Sequence, residues 1–522
     1  MTNKTKIILA LSIFIIIVTF IYQHACLDYV RKDGIGFMTE RNSFKSNWSW
    51  ILHGINYDRT RLVAPGDYFM YRPGYWLYNA LNVLIKEHQI LTGIISILLH
   101  LLVVVLLYYI FKLNPNGLDA LPFAAVLASQ YVGIEMISWR YASCYMLCIS
   151  LILTSFLILF SRLRYKYYLV SFLLISSTFF HEIITGTMIL FIVISFPILK
   201  LSKQEKSYNN SHVMNLIGIF TISIITYFLL NFINWKATHP PSFFGPADHF
   251  SPNINFIKNS IHNFFHYLGA GTRAFFNPFS IQLKWDQSLY DWAYYYWDIR
   301  EDNIKSFYLW SVLGVSILTL TITISLRKIF LQQAKSSEII ALWASCSLIT
   351  LASLYSIVRL TCRDISYAKT SSACYYWFFS FFYIIIIKFI IDEIFTRIPL
   401  NFLWKRILSW IIYTFLAFFV IAQGLKARNA IDNNYDLTWA KQIQQAIQTS
   451  DLYFRLNPNK CLDSSERYPS DTPRNRQFFT LPYYLSKYNC GIAPGSTVVH
   501  LYRTEMGVTV LRLGPYPSKF EN

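Results

Sequence analysis

The feature that most constrains this chain is the recurrence of apolar runs about as long as a bilayer is thick. A lipid-exposed run must be helical, because every backbone donor and acceptor has to be satisfied within the segment. The composition agrees, since 54% of the 522 residues are hydrophobic and 14% are charged. We expect an all-α polytopic membrane protein with about eleven spanning helices. These cover residues 7–23, 89–112, 120–138, 141–160, 167–180, 183–201, 213–234, 307–326, 338–358, 371–391 and 404–423.

The positions of Lys and Arg predict which connections face the cytoplasm, because these residues resist translocation. The basic connections alternate along the chain and are Lys4–Lys6, Arg162–Lys166, Lys200–Lys206, Arg327–Lys335 and Arg397–Arg406. The N-terminus is therefore expected in the cytoplasm. The loops 24–88 and 235–305 and the residues after 423 are expected on the exported side.

The first apolar run also fits a signal peptide, because Ala25-Cys26 resembles a cleavage site. The polar pair Gln23-His24 before it fits such a site poorly. An uncleaved anchor helix is the favoured interpretation.

The formal net charge of +18 does not indicate a nucleic-acid partner. Membrane orientation explains much of the basic excess, and no basic helix is interleaved with base-reading aromatic residues. Arginines on the exported side have no such explanation, so they indicate an anionic ligand. They are Arg72, Arg140, Arg273, Arg359 and Arg363.

The loop 24–88 is acidic and closes on Tyr71-Arg72-Pro73. A carboxylate can deprotonate an acceptor hydroxyl, and arginine suits bidentate contact with a phosphate. Asp33 and Glu40 lie early in this loop, within reach of a membrane surface where a lipid phosphate would lie. They are the predicted bases, while Asp58 and Asp67 follow later in the loop.

The sequence holds no cysteine pair or Cys/His cluster at metal-ligand spacing. His181-Glu182 matches the first half of a zinc-protease motif, but Thr185 stands where the second histidine would be. A zinc site and a metalloprotease are therefore not expected. No cofactor is expected either.

The loop 235–305 contains a helical pattern that starts after Ser251-Pro252 and reaches Gly269-Ala270-Gly271, which we expect to end it. Its apolar spacing predicts a helix lying in the headgroup plane. The aromatic residues between Trp285 and Trp297 follow. They are either an interfacial belt or a surface that stacks on sugars.

The chain divides into a membrane domain, 1–423, and an exported C-terminal domain, 424–522, where charges and prolines increase. A helical pattern covers Thr438–Thr449. Alternating runs Thr497–Tyr502 and Val508–Leu513 meet near Gly507. These patterns predict a small α/β cap.

Several features occur in a fixed order along residues 1–200. An anchor helix and an acidic exported loop precede Tyr-Arg-Pro with an aromatic helix, Pro73–Leu84, and then a span containing His100. Glu135–Arg140 and His181-Glu182 follow. This order resembles the GT-C superfamily of polytopic glycosyltransferases, and the rest of the chain is similar to it in architecture.

The resemblance implies that a hexose, such as glucose, moves from a polyprenyl-phosphate carrier to an exported glycan or lipid acceptor. It assigns the catalytic base to Asp33 or Glu40. The implied donor-phosphate partners are Arg72, Arg140, Arg359 and Arg363, and the supporting residues are Asp28, His181 and Glu182.

Two further points concern the family pattern. Many members carry adjacent acids, or acids two apart, in the first loop, whereas Asp28, Asp33 and Glu40 lie five and seven residues apart. A divalent metal is therefore not supported. The layout is also similar to that of bacterial O-antigen glucosyltransferases, which modify lipopolysaccharide.

Two other functions stay open. A flippase or transporter for a lipid-linked glycan would also be a helical bundle with arginines, although transporters usually contain broken helices, whereas runs such as Ile183–Leu199 and Tyr375–Ile391 are smooth. An O-antigen polymerase or ligase would also use a large exported loop, such as 235–305.

Overall fold

Helices account for most of the described chain, because long apolar runs can satisfy their backbone in lipid only as helices. The computed structural model describes residues 3–23, 74, 77–78, 81, 89–138, 143–180, 225, 254–280, 283–286, 294–297, 304–331, 333, 335–362, 373–397, 402–432, 456, 497–503 and 509–515. All statements below concern these residues.

The helices follow the apolar runs closely. In chain order they are α1 Asn3–Tyr22, α2 Gln89–Phe111, α3 Ala120–Ala128, α4 Gly133–Ser138, α5 Ser143–Leu159, α6 Lys166–Thr178, α7 Ile254–Phe276, α8 Ile304–Phe330, α9 Ser336–Cys362, α10 Ala373–Arg397 and α11 Phe402–Asp432.

Five of the described segments are long and apolar enough to cross a membrane, which marks a multi-pass membrane protein. They are Lys4–Tyr22, Gly93–Phe111, Tyr308–Phe330, Ser336–Ser353 and Leu403–Ile431. The predicted span 183–201 lies outside the described residues, and so does the span 213–234 apart from residue 225.

The described chain also contains two pairs of antiparallel strands. Strands β1, Leu283–Asp286, and β2, Tyr294–Trp297, pair with Trp285 opposite Tyr295, so part of the aromatic run forms a hairpin. Strands β3, Thr497–Arg503, and β4, Thr509–Pro515, pair with Leu501 opposite Leu511. The second hairpin covers the two alternating runs of the tail, while the predicted helix at 438–449 lies outside the described residues.

Contacts between helix ends define two ends of the bundle. At the Tyr22 end, Arg428 of α11 donates a 2.9 Å hydrogen bond to the carbonyl oxygen of Phe20 in the last turn of α1. At the Lys328 end, Lys328 of α8 pairs with Glu393 near the end of α10. The basic connections of the sequence predict that the Lys328 end faces the cytoplasm.

Helix α7 does not lie flat on the surface, so the prediction of a headgroup-plane helix is wrong. It packs parallel to α8, since Tyr308 hydrogen bonds to His262 (2.6 Å) and Ser311 donates to the carbonyl of Phe265, three residues further along each helix. Its second half is buried, including Tyr267, Leu268 and Ala274. The helix therefore enters the bundle from the Tyr22 end.

The glycines that were expected to end α7 instead lie inside it. A Cβ atom at Gly271 would lie 2.3 Å from Cδ1 of Phe379 in α10, so the glycine allows the two helices to approach closely. Local sequence does not distinguish a packing glycine from a terminating one. The contact with α10 decides between them.

The span predicted at 120–138 is broken into α3 and α4, which corrects the expectation of a continuous helix. Helix α3 begins after Asp119, whose side chain accepts a 3.0 Å hydrogen bond from the backbone N–H of Leu121. The backbone leaves the helical path at residues 129–132 and resumes at Gly133. All four residues of this break are buried.

Candidate functional site

The residues on which the sequence interpretation placed the chemistry lie outside the described part of the chain. The candidate bases Asp33 and Glu40 are among them. The remaining candidates outside the described part are Asp28, Arg72, Arg140, His181, Glu182 and Arg363. Arg359 lies in the last turn of α9, but its side chain is also outside the described part.

Arg273, another arginine expected on the exported side, is half-buried in the last turn of α7. Its guanidinium stays protonated at neutral pH because an arginine is not deprotonated in proteins. It therefore carries a positive charge inside the Tyr22 half of the bundle.

Three chain segments meet at the Tyr22 end in a junction formed by Gly74, Tyr78, Ser143 and Phe179. The backbone N–H of Gly74 donates a 3.0 Å hydrogen bond to the carbonyl oxygen of Phe179. The hydroxyl groups of Tyr78 and Ser143 also hydrogen bond to each other. A Cβ atom at Gly74 would lie 3.1 Å from that carbonyl oxygen, so this close approach favours glycine.

Each segment of the junction adjoins one of the sequence candidates. Gly74 follows Arg72 by two residues, and Ser143 follows Arg140 by three. Phe179 precedes His181 by two residues. The three motifs that carried the family resemblance are thus flanked by residues that touch one another.

A residue beside the junction packs against the start of α10. Tyr145, two residues after Ser143, lies 6.0 Å from Phe378 between ring centroids. The thiol of Cys148 donates a 2.9 Å hydrogen bond to the carbonyl of Ser177, which ties α5 to α6 beneath the junction. These buried contacts give the junction a rigid base.

A second set of polar side chains surrounds the break between α3 and α4. We call Tyr22, His100, Gln130, Trp377 and Gln423 the break cluster, and each is at most 2% exposed. The hydroxyl of Tyr22 donates a 2.5 Å hydrogen bond to the carbonyl oxygen of Gln130. The backbone N–H of Tyr131 donates to Oε1 of Gln423 at 3.2 Å.

The ring of His100 lies at the centre of this cluster. Its centroid is 5.4 Å from that of Tyr22 and 6.3 Å from that of Trp377. The imidazole also lies beside the carbonyls of Leu127 and Ala128, although neither contact meets the geometry of a hydrogen bond. The histidine thus faces the last turn of α3.

Five buried atoms of the break cluster have no hydrogen-bond partner within the described residues. They are Nδ1 and Nε2 of His100, Oε1 of Gln130, Nε1 of Trp377 and Nε2 of Gln423. Each such atom costs about 1–3 kcal/mol when nothing satisfies it. The cluster therefore offers donors and acceptors, without a charged group, to a small polar ligand.

Two cations of α11 have a structural role at the Tyr22 end. Lys426 donates hydrogen bonds to the carbonyls of Pro278 (2.8 Å) and Phe279 (2.9 Å), and its Nζ lies 4.6 Å from the ring centroid of Tyr131. Cations at helix ends satisfy carbonyls that have no partner within the helix. The sequence interpretation missed this role of Lys426 and also that of Arg428, which caps α1.

The Lys328 end holds two groups of ion pairs, a buried one that contains Asp392 of α10 and a partly buried one that contains the adjacent Glu393. Lys388 pairs with Asp392 at 2.5 Å, and Asp392 also accepts a hydrogen bond from the backbone N–H of Leu118 (2.9 Å). Lys328 pairs with Glu393 and, at 2.6 Å, with Glu338. These contacts fix the connections between helices.

Within the described ranges, no group of three or more His, Cys, Asp or Glu residues could hold a metal ion. No family model, curated protein or solved structure matches this chain. The GT-C resemblance therefore stays a prediction from sequence motifs.

Proposed function

We propose that this chain is a membrane glycosyltransferase that moves a hexose from a polyprenyl-phosphate carrier to an exported glycan or lipid, such as O-antigen. The observation that supports it most is the junction, where the hydrogen bond from Gly74 to Phe179 and that between Tyr78 and Ser143 join three motif-bearing segments. In the sequence, Arg72, Arg140 and His181 are each two or three residues from a member of the junction, which is our reason for assigning them to one donor site.

The chemistry needs few groups. A hydroxyl oxygen of the acceptor attacks the anomeric carbon of the sugar, and the bond from this carbon to the phosphate oxygen breaks. The proton passes to the carboxylate of Asp33 or Glu40, and the electron pair leaves with the phosphate. Arg72, Arg140, Arg359 and Arg363 balance the charge that grows on the phosphate, while Asp28, His181 and Glu182 support them.

We also propose a GT-C-like membrane domain of about eleven spans at 1–423, followed by an exported cap at 424–522. The N-terminus of the membrane domain lies in the cytoplasm in this proposal. Two described features support it. The Lys328 end collects the basic ends of α8 and α10, and the β3–β4 hairpin is of the kind expected in an α/β cap. Membrane lipids, the lipid-linked sugar donor and the acceptor are the proposed partners.

The helix break favours a second candidate function, a flippase or transporter for a lipid-linked glycan. Transporters often bind their substrates where helices are interrupted inside the membrane. The smooth appearance of the spans was the argument against this function. The non-helical backbone at 129–132 weakens that argument for one of them.

The composition of the surface polysaccharide, measured by mass spectrometry with and without this protein, tests the proposed function. An added hexose on the repeating unit is the expected result. A change in chain length alone would instead indicate a polymerase or ligase. Unchanged repeats, with lipid-linked glycan accumulating on one membrane face when the protein is absent, would indicate a transporter.

Arg72→Ala is expected to weaken the apparent affinity for the donor about 10- to 100-fold, because a hydrogen bond to a charged group contributes about 1.5–3 kcal/mol. Transfer rates measured over a range of donor concentrations test this. Arg428→Ala is the matched control, since this arginine caps α1 and should leave donor affinity unchanged. An unchanged donor affinity in Arg72→Ala would exclude a phosphate contact there.

A further inference from the structure

The break between α3 and α4 lies at membrane depth. The ring of His100 contacts Tyr22, whose hydroxyl binds the break at Gln130. His100 is seven residues inside the candidate span Gly93–Phe111, which places it about 10 Å from the nearer end at 1.5 Å per residue. Non-helical backbone at such depth occurs only where protein buries it or water reaches it.

Protein groups satisfy several backbone groups of the break. Tyr22 and Gln423 supply two partners from α1 and α11. The N–H of Ser129 donates to the carbonyl of Ala125 (3.1 Å), and that of Gly133 donates to the carbonyl of Gln130 (3.0 Å). The unsatisfied atoms of the break cluster named above all lie on side chains.

The five unsatisfied atoms include both hydrogen-bond donors and hydrogen-bond acceptors. Trp377 and Gln423 present N–H donors, Gln130 presents a carbonyl acceptor, and the neutral imidazole of His100 presents one of each. Water donates and accepts in equal number, and buried water typically satisfies polar groups that protein leaves unpaired. A charged ligand would find no opposite charge among these side chains.

We infer that the break cluster is a built site for ordered water, and that this water holds the α3–α4 break in shape. A Cβ atom at Gly133 would lie 2.9 Å from Oη of Tyr22 and 3.6 Å from Cδ1 of Trp377, so no side chain enters between these two rings from the break. His100 contributes both of its nitrogens. It acts as a positioning residue for α4, which leads toward Arg140.

The effect on Arg140 rests on the proposed function, whereas the water site itself does not. Helix α4 starts directly after the break and packs against α10, whose first turns also contact Tyr145 beside the junction. A shift of α4 would therefore move the segment that connects it to Ser143. Sugar transfer would respond through the reaction rate rather than through donor binding.

Hydroxyl-radical footprinting of the full-length protein in lipid nanodiscs tests the water site directly. Radiation generates radicals from bound water, so buried side chains beside that water are oxidised quickly. Trp377 is expected to be labelled fast although it is fully buried. Trp343 is the matched control, because it is equally buried and its Nε1 also lacks a described partner, but it packs between Phe156 and Phe382.

Equally slow labelling of Trp377 and Trp343 would overturn the inference. Thermal unfolding gives a second measure, since Trp377→Phe removes a donor that water accepts from. The melting temperature should fall more for Trp377→Phe than for Trp343→Phe. An equal or smaller fall would count against bound water, because removing an unsatisfied donor is not destabilising.

Substitutions at His100 test the positioning role. His100→Leu is expected to lower kcat for sugar transfer without changing KM for the donor, and His100→Gln, which can still donate and accept, should restore most of the rate. Equal losses in both variants would overturn the role through water. If wild-type protein transfers no sugar, the proposed function fails, while fast labelling of Trp377 would still establish the water site.

Discussion

One of two substitutions, Glu40→Gln or Asp33→Asn, is expected to abolish sugar transfer while the protein still accumulates in the membrane. Loss of a general base lowers the rate of such a reaction about 10²- to 10⁴-fold. Each change replaces a carboxylate by an amide of nearly the same shape, so it removes the proton acceptor and little else. Transfer of labelled hexose by purified protein in nanodiscs measures the effect.

The same loop provides matched controls for this experiment. Asp58→Asn and Asp67→Asn remove acids from the loop 24–88 that have no assigned role, so transfer should persist. Equal activity of wild type, Glu40→Gln and Asp33→Asn would remove the assignment of the base. Equal loss in all four variants would instead point to a general requirement for negative charge in the loop.

Asp392→Ala is expected to destabilise the protein by about 3–5 kcal/mol, because breaking a buried ion pair leaves an uncompensated charge. Side chains of Lys388 and Asp392 are 3% and 5% exposed, so solvent cannot replace the lost partner. Asn114 and the backbone N–H of Leu118 would also lose their acceptor. Thermal unfolding in detergent, followed by tryptophan fluorescence, measures the change.

Two further variants distinguish loss of the ion pair from replacement of both charges and from loss of a helix cap. The double variant Lys388→Met/Asp392→Leu should recover much of the stability, since apolar residues often replace a buried pair at little cost. Asp119→Ala, which removes an exposed helix cap, should cost only about 0.5–2 kcal/mol. A melting temperature of Asp392→Ala equal to that of wild type would show that the pair does not stabilise the bundle.

Local sequence predicted the positions of most described helices because an apolar run of sufficient length can only be helical in lipid. It did not predict the break at 129–132, since Ser129 and Gln130 interrupt the apolar run only briefly. The alternative partners that allow the break, Tyr22 and Gln423, come from distant helices. Ser129, Gln130 and Gly133 are the local signals for the interruption.

Some residues of the candidate sites could be identified from the sequence, and others only from the fold. Acidic and arginine motifs stand out in the sequence because their residue types suit phosphate chemistry. The break cluster does not stand out, because its members come from α1, α2, α10, α11 and the break itself. Of its members, only His100 belongs to the motif order of the sequence, and only the fold reveals what it contacts.

The pairing of Lys388 with Asp392 also bears on biogenesis. A single lysine or aspartate at the centre of a helix opposes insertion by about 2.5–3.5 kcal/mol. These two residues are one turn apart on α10, so the nascent helix can neutralise its own charge as it leaves the translocon. Insertion of α10 thus does not require an ion partner from another helix. Lys328 of α8, in contrast, can pair with Glu338 and Glu393 only after α9 and α10 have been inserted.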